Sequence, residues 1–182
     1  MCIRDRVQAI AGQTLRGVTE KEAVAAFTKR IHAIAAAHDV LLQQSWSSAR
    51  IGAVVDGVLG IFDLGDRFKA SGPDVSLGPR ATLSLSMLLH ELATNALKYG
   101  ALSADAGRVT VKWRLLGSHG DAEFALDWSE SGGPPPRQPD RKGFGSRLIA
   151  MGLVGTGGSE LRFLAHGFEA KFKAPLSQVQ ES

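Results

Sequence analysis

Cysteine occurs once in the 182 residues, at Cys2, and no stretch approaches the roughly 18 apolar residues that a membrane-spanning helix needs. A lone cysteine excludes an internal disulfide and a cysteine-rich zinc site, and it agrees with a reducing compartment. The start shows no secretory leader, so the expected location is the cytoplasm, with no membrane contact by this segment. Charge of one sign is also scarce: 21 basic against 18 acidic residues leave a formal net charge of +3, with both signs well mixed. That excess suits a phosphate-bearing ligand and is too small to argue for nucleic acid. Proline is absent between residues 7 and 60, whereas glycine and proline punctuate short runs from about residue 65 onward. The chain therefore divides into a helical zone and a mixed zone.

In the helical zone Val7, Ile10, Ala11, Thr14 and Leu15 recur at helical spacing, and Gly17 ends that run. Thr19 with Glu22 fits a capping box, hydroxyl and carboxylate each satisfying a free backbone N–H. Val24, Phe27, Ile31, Ile34, His38 and Leu41 then follow alternating steps of three and four, the seam of a packed helix. Two such helices predict a hairpin that closes on itself or against a second copy. In the mixed zone Val109, Val111, Trp113 and Leu115 alternate with polar neighbours, as do Ala122, Phe124, Leu126 and Trp128. Phe168, Ala170 and Phe172 repeat the pattern after an expected strand at 161–165. Helices are predicted at about 80–98 and about 146–154. Helices lying on a largely antiparallel sheet make a two-layer α+β sandwich.

The stretch HELATNALKYG, residues 90–100, combines apolar helical spacing with a compact polar set. At about 100° per residue, Leu85, Leu88, Leu89, Leu92 and Ala96 share one side, and Glu91, Thr94, Asn95 and Lys98 the other. A carboxylate, an amide oxygen and an ammonium on adjacent turns can meet a magnesium ion and a phosphate chain together, since magnesium prefers hard oxygen ligands and keeps several waters. Taken alone, a solvated helix face explains the stripe as well. Downstream, LDWSESGGPPP places a strand, then Glu130, then two glycines, and GFGSRLIAMG follows about ten residues later. A Gly-x-Gly opening a helix lets backbone N–H groups and the helix N-terminus approach phosphate. The proline-rich patch at 131–143 excludes helix or central strand and suits a loop able to close over a ligand.

Together these motifs resemble the HWE subfamily of the histidine kinases of two-component signalling. His90 stands in an N-box, Trp128-Ser129-Glu130 in a first glycine box, and GFGSRLI is similar to the second. VQAIAGQTLRG and RIHAIAAAHDVLLQQSW resemble parts of a dimerisation hairpin, and HGFEAKFKAPL the last strand. The resemblance implies an N-terminal helical hairpin at 7–62, then a sandwich of the histidine-kinase/gyrase-type ATP-binding (Bergerat) fold at 63–176 with a mixed, largely antiparallel sheet, and a tail at 177–182. It implies ATP and magnesium as cofactors and transfer of the γ-phosphoryl to a histidine, then to an aspartate of a response-regulator receiver domain. It makes Asn95 the magnesium ligand and Glu91 the residue that orients or deprotonates the attacking group. Lys98 would touch the phosphates, and Tyr99 would lie near the base. Glu130 would read the adenine amine, with Gly132, Gly143, Phe144 and Gly145 lining the nucleotide. His90 belongs to the expected catalytic set, although neither it nor Trp128 has a chemical step derivable from the residues, and packing suits Trp128 as well as ligand contact does.

The leader MCIRDR, residues 1–6, does not resemble the family. The expectation is that the phosphoacceptor histidine, in a segment resembling HRVKN, and a sensor domain lie upstream of this chain. His38 sits on the apolar seam, where a structural role is expected, and His32, His119 and His166 have no catalytic partner in the sequence. A homodimer through the hairpin is a further expectation. The competing readings are an ATP-hydrolysing conformational machine of the same superfamily, with Glu91 activating water, and a nucleotide-binding module without kinase activity.

Overall fold

Residues 48–117, 122–138, 144–154 and 158–181 are described by the computed structural model. Residues 7–47 of the expected hairpin, with Thr19, Glu22, His32 and His38, lie outside the described residues, as do His119 and Gly143.

The chain enters through a two-residue strand β1 (Ala49–Arg50), a helix α1 (Ile51–Leu59), a short edge strand β2 (Phe68–Ser71) and a second two-residue strand β3 (Ser76–Leu77). The long helix α2 (Pro79–Lys98) follows, then β4 (Arg108–Leu116), β5 (Glu123–Ser131), α3 (Phe144–Met151), β6 (Ser159–Leu164), β7 (Gly167–Pro175) and α4 (Leu176–Gln180). Five strands form one sheet in the order β2-β4-β5-β7-β6. Its β2–β4 pair is parallel and its other pairs are antiparallel, so the sheet is mixed and largely antiparallel as predicted. β1 and β3 make a separate antiparallel pair, Ala49 opposite Leu77.

Alternation along β4 and β5 sends one set of side chains inward and the other outward. Val109, Val111 and Trp113 of β4, and Phe124, Leu126 and Trp128 of β5, are buried. Ala170 and Phe172 of β7 continue that inner face. The outer face is a ladder of alternating charge: Lys112 stands opposite Asp127, and Asp127 opposite Lys171. Arg114 pairs with Asp127 on the same face. Cross-strand opposites of this kind favour the register.

Helix α2 covers the inner face. Pro79 fills its first position, where a missing N–H costs nothing. Leu85, Leu88, Leu89, Leu92, Ala93 and Ala96 are each at most 1% exposed, so every buried leucine contributes about 2 kcal/mol of apolar burial. The buried hydroxyls of Thr82 and Ser86 donate to the carbonyls of Gly78 and Thr82, at 2.9 and 2.8 Å. That leaves no unsatisfied polar group among the leucines from these two residues.

Helix α1 is where the structure departs from the expected layout. Ile51, Val54, Val55, Val58 and Leu59 are buried in the same core as α2 and the sheet. The expectation grouped these residues with the hairpin, because IGAVVDGVL continues the helical character before it with no proline to mark an end. Their packing joins α1 to the sandwich. At the other end, α4 takes up residues expected as a tail: Val179 is buried and its carbonyl accepts the Gly78 N–H at 2.9 Å. No helix among the described residues is long and apolar enough to cross a membrane.

Candidate active site

The polar set of the N-box emerges at the C-terminal half of α2. Glu91, Thr94 and Asn95 are half-buried, Lys98 is exposed, and the leucines one residue to either side of that stripe face the core. This is the division that the helical spacing predicts. The Asn95 carbonyl accepts both the Tyr99 N–H at 2.8 Å and the Gly100 N–H at 3.1 Å, which ends the helix. The chain then turns sharply into a single 3-10 turn at Ala101–Ser103. The Tyr99 ring is left 72% exposed beside that turn.

Glu130 meets the same turn from the sheet. It stands near the end of β5, 5% exposed, pointing to the covered side. Its Oε2 accepts the Ala101 backbone N–H at 2.8 Å, and its Oε1 accepts the Trp128 indole N–H at 3.0 Å. Burial pushes the carboxyl above the ordinary glutamate value of 4.5, while the two N–H donors pull it back. The N-box and the first glycine box, 29 residues apart in sequence from Ala101 to Glu130, are thus joined by one charge-assisted hydrogen bond.

Two glycines make that approach feasible. A Cβ on Gly100 would collide with Glu130 Oε2. Gly132 adopts φ +73°, and a Cβ there would stand 2.5 Å from the Ala106 carbonyl oxygen. The glycine box therefore serves close backbone packing between β5 and the loop after α2, whatever it also offers to a ligand. In the second box, Phe144 opens α3 and Gly145 is its second residue, and α3 packs against α2. Arg80 near the start of α2 donates to the Val154 carbonyl just beyond α3, at 3.1 Å.

The two residues without a step legible in sequence have clear surroundings. Trp128 is fully buried and spends its one N–H on Glu130. His90 is 7% exposed, and its ring lies 5.4 Å from that of Phe62, tilted by 48°. Phe62 closes the turn after α1, so His90 joins that turn to the N-box helix. Sequence reasoning missed Phe62 and Ala101, and no residue-type pattern points to a phenylalanine in a turn or to a backbone amide. The Trp128–Glu130 bond had a usable sign, since residues two apart on a strand share a face. His166 occupies the β6–β7 turn.

Comparison with known proteins agrees with this assembly. A profile described as HWE histidine kinase matches residues 5–74. A blue-light-activated histidine kinase of Brucella anthropi is 39% identical over 176 residues, which cover 94% of this chain and 36% of that protein. The chain thus spans about a third of the length of the curated relatives it matches. Among solved structures, the histidine kinase domain of the Erythrobacter litoralis EL346 blue-light activated histidine kinase superposes with a TM-score of 0.60 at 15% identity, covering 97% of this chain and 96% of that one. Histidine kinase ThkA, solved in complex with the response regulator protein TrrA, superposes with a TM-score of 0.50 at 14% identity, covering 96% of this chain and 59% of that one. The sandwich has the fold of histidine-kinase domains. With the N-box histidine, the Trp-x-Glu of the glycine box and the similarity along nearly its whole length, this chain belongs to the HWE family of sensor histidine kinases.

Proposed function

We propose that this chain binds ATP with magnesium between the C-terminal half of α2 and the two glycine boxes, and that it donates the γ-phosphoryl to a histidine for relay to an aspartate of a response-regulator receiver domain. One observation carries the proposal. A buried carboxylate, Glu130, is bonded to the turn directly after the helix that presents Glu91, Asn95 and Lys98. An acceptor suited to a base thereby lies next to groups suited to a metal–phosphate chain.

In this reading Asn95 supplies one amide oxygen to magnesium, and the exposed ammonium of Lys98 neutralises phosphate charge. The donor set fits the ion: no three His, Cys, Asp or Glu side chains converge among the described residues, and a single amide oxygen suits a magnesium that keeps waters and phosphate oxygens as its other ligands. When bound, the ion supplies charge neutralisation on the transferring phosphoryl. Tyr99 offers an exposed ring to the base, and Glu130 keeps free lone pairs for the adenine amine beside the two N–H bonds it already accepts. Gly132, Gly143, Phe144 and Gly145 line the nucleotide, Glu91 orients or deprotonates the attacking group, and His90 belongs with Glu91 and Asn95 to the catalytic set. The protein's contribution is positioning and charge complementarity.

The acceptor histidine belongs, in this reading, to a segment resembling HRVKN, and a sensor domain and a hairpin homodimer complete the cytoplasmic kinase. Incubation with γ-labelled ATP tests it, using this chain alone and this chain extended by such a segment. Acid-labile label on the extended protein only is the expected result. Steady phosphate release with no labelled protein contradicts phosphotransfer, and absence of nucleotide binding contradicts the whole reading.

A further inference from the structure

Trp128 and Glu130 stand two apart on β5 and leave the sheet on the same, covered side. A glutamate arm has three rotatable bonds, and here each carboxylate oxygen is held by one donor before any ligand arrives. The Trp128 indole N–H holds Oε1 at 3.0 Å, and the Ala101 N–H holds Oε2 at 2.8 Å. Gly100 lets the turn approach Oε2 closely, since a Cβ there would collide with that oxygen. Trp128 itself is fully buried in the core, with Val111 and Ala170 as its cross-strand partners, so the donor has little freedom to turn away.

We propose that Trp128 is a positioning residue for base selection: its indole N–H fixes the Glu130 carboxylate as an acceptor, and the pocket thereby selects a purine carrying a 6-amino group. The inference rests on the ATP reading above and adds to it the device that sets specificity. A carboxylate buried to this degree tends to take up a proton, and a protonated carboxyl would present a donor to the base. Two N–H donors oppose that, and they orient the remaining lone pairs at no cost when the ligand binds. An amine at purine position 6 then finds an acceptor. A purine with hydrogen there leaves the carboxylate unmet, and a 6-oxo purine sets oxygen against oxygen.

The test compares the wild-type chain with Trp128→Phe, which keeps an aromatic ring and removes the N–H. Calorimetry measures binding of the magnesium complexes of ATP and of purine riboside triphosphate, which lacks the amine. Wild type is expected to prefer ATP by about tenfold, the scale of one hydrogen bond to a charged group. Trp128→Phe is expected to bring the ratio close to one, with affinity for purine riboside triphosphate little changed. A ratio unchanged by the substitution overturns the role of Trp128 and leaves the ATP reading standing. Wild type that binds neither nucleotide overturns both. Should Trp128→Phe fail to fold, the indole ¹⁵N–H resonance of Trp128 in the wild-type chain, assigned by substituting Trp46 and Trp113, gives an independent measure. A larger shift with ATP than with purine riboside triphosphate supports the proposal, and equal shifts overturn it.

Discussion

The Ala101 backbone N–H donates to Glu130 Oε2 at 2.8 Å, closing the end of the N-box helix onto the end of a central strand. Ala101 is buried in a tight turn, and Glu130 is the buried carboxylate of the described residues. A hydrogen bond between such groups holds two motifs in one geometry, because leaving either partner unmet in the interior is costly.

Gly100 is the first place to break that geometry. Gly100→Ala puts a methyl group where Glu130 Oε2 lies, so either the carboxylate or the turn must move. Overpacking of this kind costs about 1–3 kcal/mol. Urea unfolding should show a lower midpoint for Gly100→Ala with an unchanged slope, and MgATP binding should weaken with it. An unchanged midpoint contradicts the tight approach.

The pH dependence of stability follows from the direction of the Glu130 shift. Burial is the largest cause and raises the carboxyl above 4.5, so the folded chain holds this proton more tightly than the unfolded chain. Stability from that proton is fully present below the unfolded value and is lost as pH rises through the folded one. Thermal unfolding followed upward from pH 4 should therefore show wild type losing stability relative to Glu130→Gln, whose amide does not titrate. Curves that stay parallel across that range contradict the shift.

The core makes a contrasting pair of predictions. Leu89 of α2 is fully buried in the core, and Leu89→Ala should cost about 2–5 kcal/mol. Leu115 is 42% exposed on β4, and Leu115→Ala should change stability by no more than about 0.5 kcal/mol. Equal effects in denaturant titrations would contradict the difference in burial between the two positions.

Much of this layout is readable from residues. The leucine spacing that predicts the helix at about 80–98 yields Pro79–Lys98, and the alternation of Val109 to Leu115 yields Arg108–Leu116. Those elements are long and repeat their period several times. β2 has four residues, FKAS, too few for alternation to register, and its parallel partner β4 is far off in sequence. α1 has the right period, but a helix packed in a hairpin and a helix packed on α2 share that period, so periodicity alone cannot choose between them. In the site, the split of Glu91, Asn95 and Lys98 from the leucines is plain in the spacing. The bond from Ala101 is not, because every residue type except proline carries that N–H.

Lys98 offers a test of the phosphate end. Its ammonium is exposed, so any attraction it exerts on a phosphate chain is screened by salt. Lys98→Gln should weaken MgATP binding severalfold at low ionic strength, less so at high, and leave adenosine binding unchanged. Equal loss for ATP and adenosine would place Lys98 away from the phosphates.

Asn95 tests the central claim most directly. It is half-buried on the polar side of α2, outside the leucine core, so Asn95→Ala should preserve the fold. Calorimetric titration of wild type and Asn95→Ala with ATP, with and without magnesium, alongside thermal unfolding of both, separates ligand contact from stability. The account predicts magnesium-dependent ATP binding by wild type and its loss in Asn95→Ala at an unchanged melting temperature. Magnesium-dependent binding that survives the substitution at wild-type strength would contradict it.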